Sequence, residues 1–238
     1  MYMNVGDNIQ KERANWDFGG EVAKHFVPHI KRSVPYYEDG HHLTCYLSDY
    51  FCLKDSLCYE LGCSTGELIK KLAAYNAQKP LARWVGIDVE ENMAQKAREH
   101  CRDIKNIEII QDNIITCALE KTDLVVSYYC VQFVPERHRQ ELFNKIYQSL
   151  NWGGAFILFE KVRAPDARFQ DMMTALYRDH KLRQGFTHEE IIGKAQSLRG
   201  VLNPFSTNGN LDLLKRAGFT DIMSVMKYVC FEGFLAIK

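Results

Sequence analysis

Residues 58–67 read CYELGCSTGE, and two chemistries fit the central Gly62-Cys63-Ser64-Thr65-Gly66. Read as G-x-S-x-G, it is the sharp elbow that presents a nucleophilic serine. Read as a strand end, a glycine turn and a helix start, it is a loop that seats a nucleotide, because glycines let the backbone turn tightly and approach a ligand. The serine reading demands an acid and then a histidine beyond the late strands, yet the last histidine of the chain is His188. The nucleotide reading demands an acidic residue about 20 positions on, closing the next strand, to bond ribose hydroxyls. Asp88, at the end of the apolar run WVGID, meets that demand. The next run, IEIIQ, leads into Asp112 and Asn113, whose polar groups suit a purine edge. The spacing favours a bound nucleotide over a covalent serine.

Such residues work only if strand ends bring them together. From residue 57 onward, short apolar β-branched runs alternate with amphipathic ones: LCYEL, RWVGID, IEIIQ, TDLVVSYY and GGAFILFEK read as strands, while TGELIKKLAAY, EENMAQKAREHC and ERHRQELFNKIYQSL read as helices. This alternation predicts an α/β fold with a Rossmann-like, doubly wound, mostly parallel sheet. The terminal FTDIMSVMKYVCFEGFLAIK reads as two strands turning around Glu232-Gly233, which completes a seven-stranded sheet with an antiparallel C-terminal strand. Residues 1–50 read as a mainly helical N-terminal cap, with apolar positions 22, 26, 27 and 30 on one helix face. Residues 51–238 read as the cofactor-binding part, with a helical insertion over 165–205 and a later helix, LDLLKRAG, closed by Gly218. The whole is expected to be one structural domain.

Thirty basic and thirty acidic side chains leave a formal charge of zero, so the chain lacks the electrostatic bias of a protein that binds nucleic acid by neutralising phosphates. A small-molecule substrate is the expectation, with nucleic acid disfavoured and no membrane partner. No basic-then-apolar leader is visible, and the expected location is cytoplasmic. The eight cysteines form no C-x-x-C pair and several fall in apolar strand-like runs, as buried free thiols do. His25 and His29 stand i, i+4 across Pro28, and we read them as a partly exposed helix face. No metal site is expected.

Glu60, two residues before Gly62, makes the turn resemble that of class I S-adenosylmethionine (SAM) enzymes. Carboxylates around a glycine turn suit a ligand carrying an ammonium group and no pyrophosphate. Over nearly its whole length the chain resembles the carboxy-S-adenosylmethionine synthase family, in WDF, IKRSVPYY, ELGCSTG, VVSYYCVQF, KIYQSLNWGGAFILFEK, QGFTHEEI and LLKRAGF. The resemblance implies SAM contacts at Tyr37, Gly62, Cys63, Ser64, Asp88, Val89, Asp112 and Asn113, with Glu60 and Gly66 completing the turn. It also implies a homodimer. Two positions depart from the family: Tyr128 stands where the family has asparagine, and Ala195 where it has an arginine that reaches the carboxylate of carboxy-SAM from the neighbouring subunit.

Methyl transfer from a sulfonium is an in-line displacement that needs alignment and exclusion of water, with no protein nucleophile. The strand end SYYCVQF lies where this fold faces the methyl, so Tyr128, Tyr129 and Gln132 are the candidate catalytic residues, with Tyr128 also a cofactor contact. Aromatic faces also stabilise a sulfonium by cation–π attraction. Either tyrosine is equally at home as sheet core. Tyr177 and His180 are candidates for lining an acceptor pocket. The leading expectation is SAM-dependent methyl transfer to a small molecule. Carboxy-SAM synthesis, an intramolecular cyclisation or elimination in the amino-acid tail of SAM, and a non-catalytic SAM-binding protein are the alternatives.

Overall fold

A computed structural model describes residues 2–7, 9–16, 18 and 21–238. The N-terminal segment opens on a short antiparallel pair, β1 (Met3–Asn4) and β2 (Gln10–Lys11), before the helices α1 (Glu21–Ser33) and α2 (Tyr37–Ser48). The expected cap is thus helical only from residue 21. The turn at Gly6 and Asp7 takes positive φ and doubles the chain back, so Met3 and Asn4 pair with strand β2 instead of starting a helix.

The repeat then unfolds as the alternation predicts: β3 (Leu57–Leu61), α3 (Glu67–Tyr75), β4 (Arg83–Asp88), α4 (Glu91–Cys101), β5 (Ile107–Gln111), β6 (Thr122–Tyr128), α5 (Glu136–Ser149) and β7 (Leu150–Lys161). Two helices follow, α6 (Ala167–Arg183) and α7 (His188–Ser197), then α8 (Thr207–Ala217), β8 (Asp221–Tyr228) and β9 (Phe231–Ile237). Side-chain caps start all three helices: Asp166 accepts from Phe169 N, Thr187 forms a reciprocal capping box with Glu190, and Ser206 accepts from Gly209 N.

The seven strands lie in the order β5-β4-β3-β6-β7-β9-β8, with β9 antiparallel to both of its neighbours. Both faces are covered, as the near-continuous apolar strands require. Leu57, Tyr59 and Leu61 of β3 face one layer with Val125, Phe156, α5 and α8, whereas Cys58 faces the other with Trp84, Val126, Phe159 and α3. The order of strands reverses between β3 and β6, and the crevice at the carboxyl ends of strands at such a switch point is where open α/β sheets bind ligands.

The terminal hairpin turns at Val229 and Cys230, not at Glu232-Gly233, which lie inside β9. Gly233 looks like a turn glycine but serves packing: a Cβ there would stand 2.6 Å from the Phe159 ring. Glu232 is buried and accepts from Thr207, Ser224 and Lys227. All eight cysteines are free thiols, seven of them buried. Among the described residues no helix is long and apolar enough to cross a membrane.

Candidate functional site

The switch point opens into a cavity of about 400 Å³. Its floor is the glycine turn. The amides of Gly62 and Cys63 both donate to the Ile87 carbonyl, at 2.7 and 3.1 Å, which ties the end of β3 to the end of β4. Gly62 has φ +76°, and a Cβ there would overlap the Cys130 thiol. Ser64 also takes positive φ, and its amide donates to Asp88 Oδ2 at 2.7 Å, while Glu90 N donates to Asp88 Oδ1 at 3.0 Å. Burial raises the Asp88 pKa, and these amides oppose that shift by bonding the charged form. The Ser64 hydroxyl rests against Met93 Sδ at 3.5 Å. His41, the one histidine among the described lining residues, meets Lys71 and not Ser64. No serine-centred relay is assembled here.

Glu60 is almost fully buried, and its Oε2 has no partner. Burial foremost, then the nearby Asp88 charge, push its carboxyl pKa well above the usual carboxylate range. Glu67, Asp88 and Glu90 are the other acids on the wall, and no lysine or arginine lies among the described lining residues. An orphaned acidic oxygen in an acid-lined cavity fits a ligand with net positive charge. SAM, with a sulfonium and an ammonium against one carboxylate, is such a ligand.

Aromatic rings form the opposite wall. Tyr128 donates its hydroxyl to the Tyr37 carbonyl at 2.7 Å, and its ring stands edge-on to Tyr37 and to His41, with centroids 5.3 and 4.7 Å away. Tyr129 holds φ +57°, a costly conformation for a bulky residue, and its ring lies nearly parallel to Tyr37 at 6.5 Å. The structure therefore brings Tyr37, Glu60, Gly62, Cys63, Ser64, Asp88, Val89, Asn113, Tyr128, Tyr129 and Gln132 to one cavity. Gly66 sits one step back as the N-cap of α3, where a Cβ would crowd Ala97 at 3.2 Å.

Two expected groups are placed differently. Asp112 is exposed and accepts from its own neighbour, Asn113 N, while Asn113 Oδ1 is taken by Ile115 N, so this stretch meets the cavity through Asn113, Ile114 and Ile115. Gln132 reaches the cavity but spends both ends of its amide on backbone, donating to Tyr129 O and accepting from Lys161 N. It is a brace for the strained Tyr129, not a free catalytic group. Tyr177 and His180 do not line the cavity.

Sequence reasoning missed the lid. Trp16, Phe18 and Phe26 close over the site, with Phe18 edge-on to Phe133 at 4.8 Å. The WDF segment and the apolar face of α1 were the available signals; Asp17 of WDF lies outside the described residues. His29 corrects another expectation: it is buried, not on an exposed face, and bonds Asp7 Oδ2 at 2.8 Å.

Fold and site together define a SAM-dependent enzyme of the class I methyltransferase fold. A methyltransferase domain model matches residues 59–154. The chain resembles the structure of human N-acetylserotonin methyltransferase in complex with SAM (TM-score 0.62, 18% identity, 93% of this chain and 57% of that one) and that of the pyocyanin biosynthetic protein PhzM (TM-score 0.66, 17% identity, 92% and 58%). It spans a little more than half the length of those two proteins. It is 36% identical to the carboxy-S-adenosyl-L-methionine synthase of Staphylococcus epidermidis over 94% of this chain and 97% of that protein, and 34% identical to that of Campylobacter lari over 94% of each. The chain belongs to the carboxy-S-adenosyl-L-methionine synthase family.

Two predictions follow from this geometry. Asp88→Ala removes charge-assisted contacts worth about 1.5–3 kcal/mol, so SAM binding measured by calorimetry weakens at least about tenfold; unchanged affinity removes Asp88 from the site. The second concerns Glu60, whose raised pKa a cationic ligand beside it lowers by favouring the ionised carboxylate. SAM affinity therefore rises with pH between the ordinary carboxylate range and the raised pKa of Glu60, and binding releases a proton. Calorimetry in two buffers of different ionisation enthalpy reads that release, which Glu60→Gln abolishes.

Proposed function

We propose that this protein transfers the methyl group of SAM to a small molecule admitted beneath the aromatic lid. The observation that carries the proposal is the composition of the cavity wall: three tyrosine rings and four carboxylates, with no lysine or arginine among its described residues. That wall favours a cationic methyl donor and holds no lysine or arginine, among its described residues, for a second carboxylate on the sulfonium carbon. Bound SAM supplies an electrophilic methyl on a sulfonium leaving group. The chain supplies the alignment. The turn at residues 62–66 and Asp88 hold the nucleoside, Glu60 answers the positive charge, and Tyr37, Tyr128 and Tyr129 surround the reacting end. Trp16, Phe18 and Phe26 keep water out, which strengthens every electrostatic contact inside.

The name of the relatives favours a second reading, carboxy-SAM synthesis from SAM and prephenate. Against it stand Ala195, exposed on α7 where the family resemblance puts an arginine, and Tyr128 in place of asparagine. We carry the family's homodimer and a cytoplasmic location as parts of the proposal, with light scattering as the check on the dimer.

Mass spectrometry of the pure protein incubated with SAM alone, with SAM and prephenate, and with SAM and a panel of small acceptors separates the readings. S-adenosylhomocysteine formed only in the presence of an acceptor is the expected result. Carboxy-SAM formed with prephenate overturns it in favour of the relatives' reaction, and methylthioadenosine formed from SAM alone overturns it in favour of attack within the amino-acid tail.

The aromatic wall makes a separate prediction. Cation–π contacts are worth about 0.5–2 kcal/mol, so Tyr129→Leu should weaken SAM by roughly two- to thirtyfold while leaving the uncharged thioether S-adenosylhomocysteine nearly unaffected. Equal losses for both ligands would show that Tyr129 acts by packing alone.

A further inference from the structure

Helix α5 acts on the cavity from outside it. None of its residues is among the described lining residues, yet Lys145 sends its ammonium across to the turn that follows β5. Lys145 Nζ donates to the carbonyls of Ile114, Ile115 and Cys117 at 2.7, 3.0 and 2.8 Å, so all of its protons are committed to one short stretch of backbone. The Cys117 thiol stands beside it at 3.8 Å. Asn113 holds the other side of the same turn: its carbonyl accepts from Thr116 N and Cys117 N, and its Oδ1 accepts from Ile115 N. Amides of the turn bond to Asn113, and its carbonyls bond to Lys145.

Carbonyl oxygens gathered around one point repel one another, and among the described residues no backbone amide bonds any of these three. A partly buried carbonyl without a donor is costly, so a chain free to choose would turn such groups apart toward water. The ammonium reverses that preference. Leu142, Phe143 and Ile146 seat α5 in the core, which fixes where the stem of Lys145 begins. Ile114 is buried in the same apolar layer, and Asn113, Ile114 and Ile115 meet the cavity. Position therefore passes from the core to Lys145, from Lys145 to the turn, and from the turn to the cavity wall. Lys238 offers an internal comparison: its ammonium donates to Tyr147 O and Leu150 O at 2.7 and 2.8 Å, but neither residue is among the described lining residues.

We propose that Lys145 is a positioning residue of the SAM site, which sets the wall formed by Asn113, Ile114 and Ile115 by gathering the carbonyls behind it. The proposal rests on SAM lying in this cavity. Lys145 does not line the cavity, so its effect on the ligand runs through the turn. That makes the sign of the effect diagnostic. By charge alone, removing a cation near an acid-lined cavity strengthens the binding of a cationic ligand, whereas loosening the wall weakens it. The coupling is also reciprocal: if the bonds of Lys145 favour bound SAM, bound SAM favours the bonds of Lys145.

Calorimetry on the full chain compares Lys145→Met, which keeps most of the stem and removes the donors, with Lys238→Met. Lys145→Met should weaken SAM and S-adenosylhomocysteine alike by about fivefold or more, because the wall it releases carries no charge that tells the two apart. Lys238→Met should lower the unfolding temperature and leave both affinities unchanged. Equal or tighter SAM binding by Lys145→Met, or an equal loss in Lys238→Met, overturns the proposal while leaving SAM in the cavity. A wild type that binds no SAM overturns that placement as well. If Lys145→Met does not fold, the wild type decides through its lysine reactivity. Methylation by formaldehyde and borohydride requires an ammonium that has left its partners and lost a proton. At saturating SAM the rate at Lys145, read by mass spectrometry of its peptide, should fall at least about threefold while that at Lys238 holds. An unchanged rate at Lys145 overturns the proposal.

Discussion

The hydrogen bond from the Ser64 amide to the Asp88 carboxylate carries the pairing of β3 and β4 past the strand ends into the glycine turn. It fixes the middle of the turn beyond the Gly62 and Cys63 amides on Ile87, and with the Glu90 amide it opposes the proton uptake that burial of Asp88 favours. Because the amide donates to the charged form, one contact shapes the loop and keeps a carboxylate available to ribose hydroxyls. Positive φ at Gly62, Ser64 and Gly66 follows from the same requirement, since the backbone must point its amides inward over five residues.

The second fixed point is the Tyr128 hydroxyl on the Tyr37 carbonyl, which ties the end of β6 to the start of α2. Tyr36, just before α2, is itself left-handed, and Tyr129 is left-handed on the other side of the contact. Strain on both sides of one hydrogen bond is the signature of geometry kept for a site rather than for stability. It also accounts for Gln132, whose amide braces Tyr129 from below.

The sheet was legible because its strands are apolar on both faces and its helices are amphipathic, two periods that do not imitate each other. The turn was legible because Gly62, Gly66 and Asp88 answer backbone requirements that few other residues meet. The hairpin turn was misplaced since a Glu-Gly pair mimics a turn, and only the opposing Phe159 ring shows that Gly233 is a packing residue. The N-terminal β-pair is too short to leave a periodic pattern, and Asp112 differs from Asn113 only in which way each side chain turns. The lid stayed hidden because nothing local in Phe18 says that it meets Phe133, more than a hundred positions away, or that Trp16 packs beside it.

A formal charge of zero concealed the feature that most distinguishes the interior. Around the cavity stand Glu60, Glu67, Asp88 and Glu90, while Lys161 and Lys181 lie over Tyr177 and Lys194 over Trp16. Coulomb's law favours letting those groups meet, and side chains of that length would do so if the fold allowed it. Instead aromatic rings stand between them, and the acidic set keeps an unpartnered oxygen, Glu60 Oε2, that a cationic ligand can answer. The cationic donor answers the acidic side.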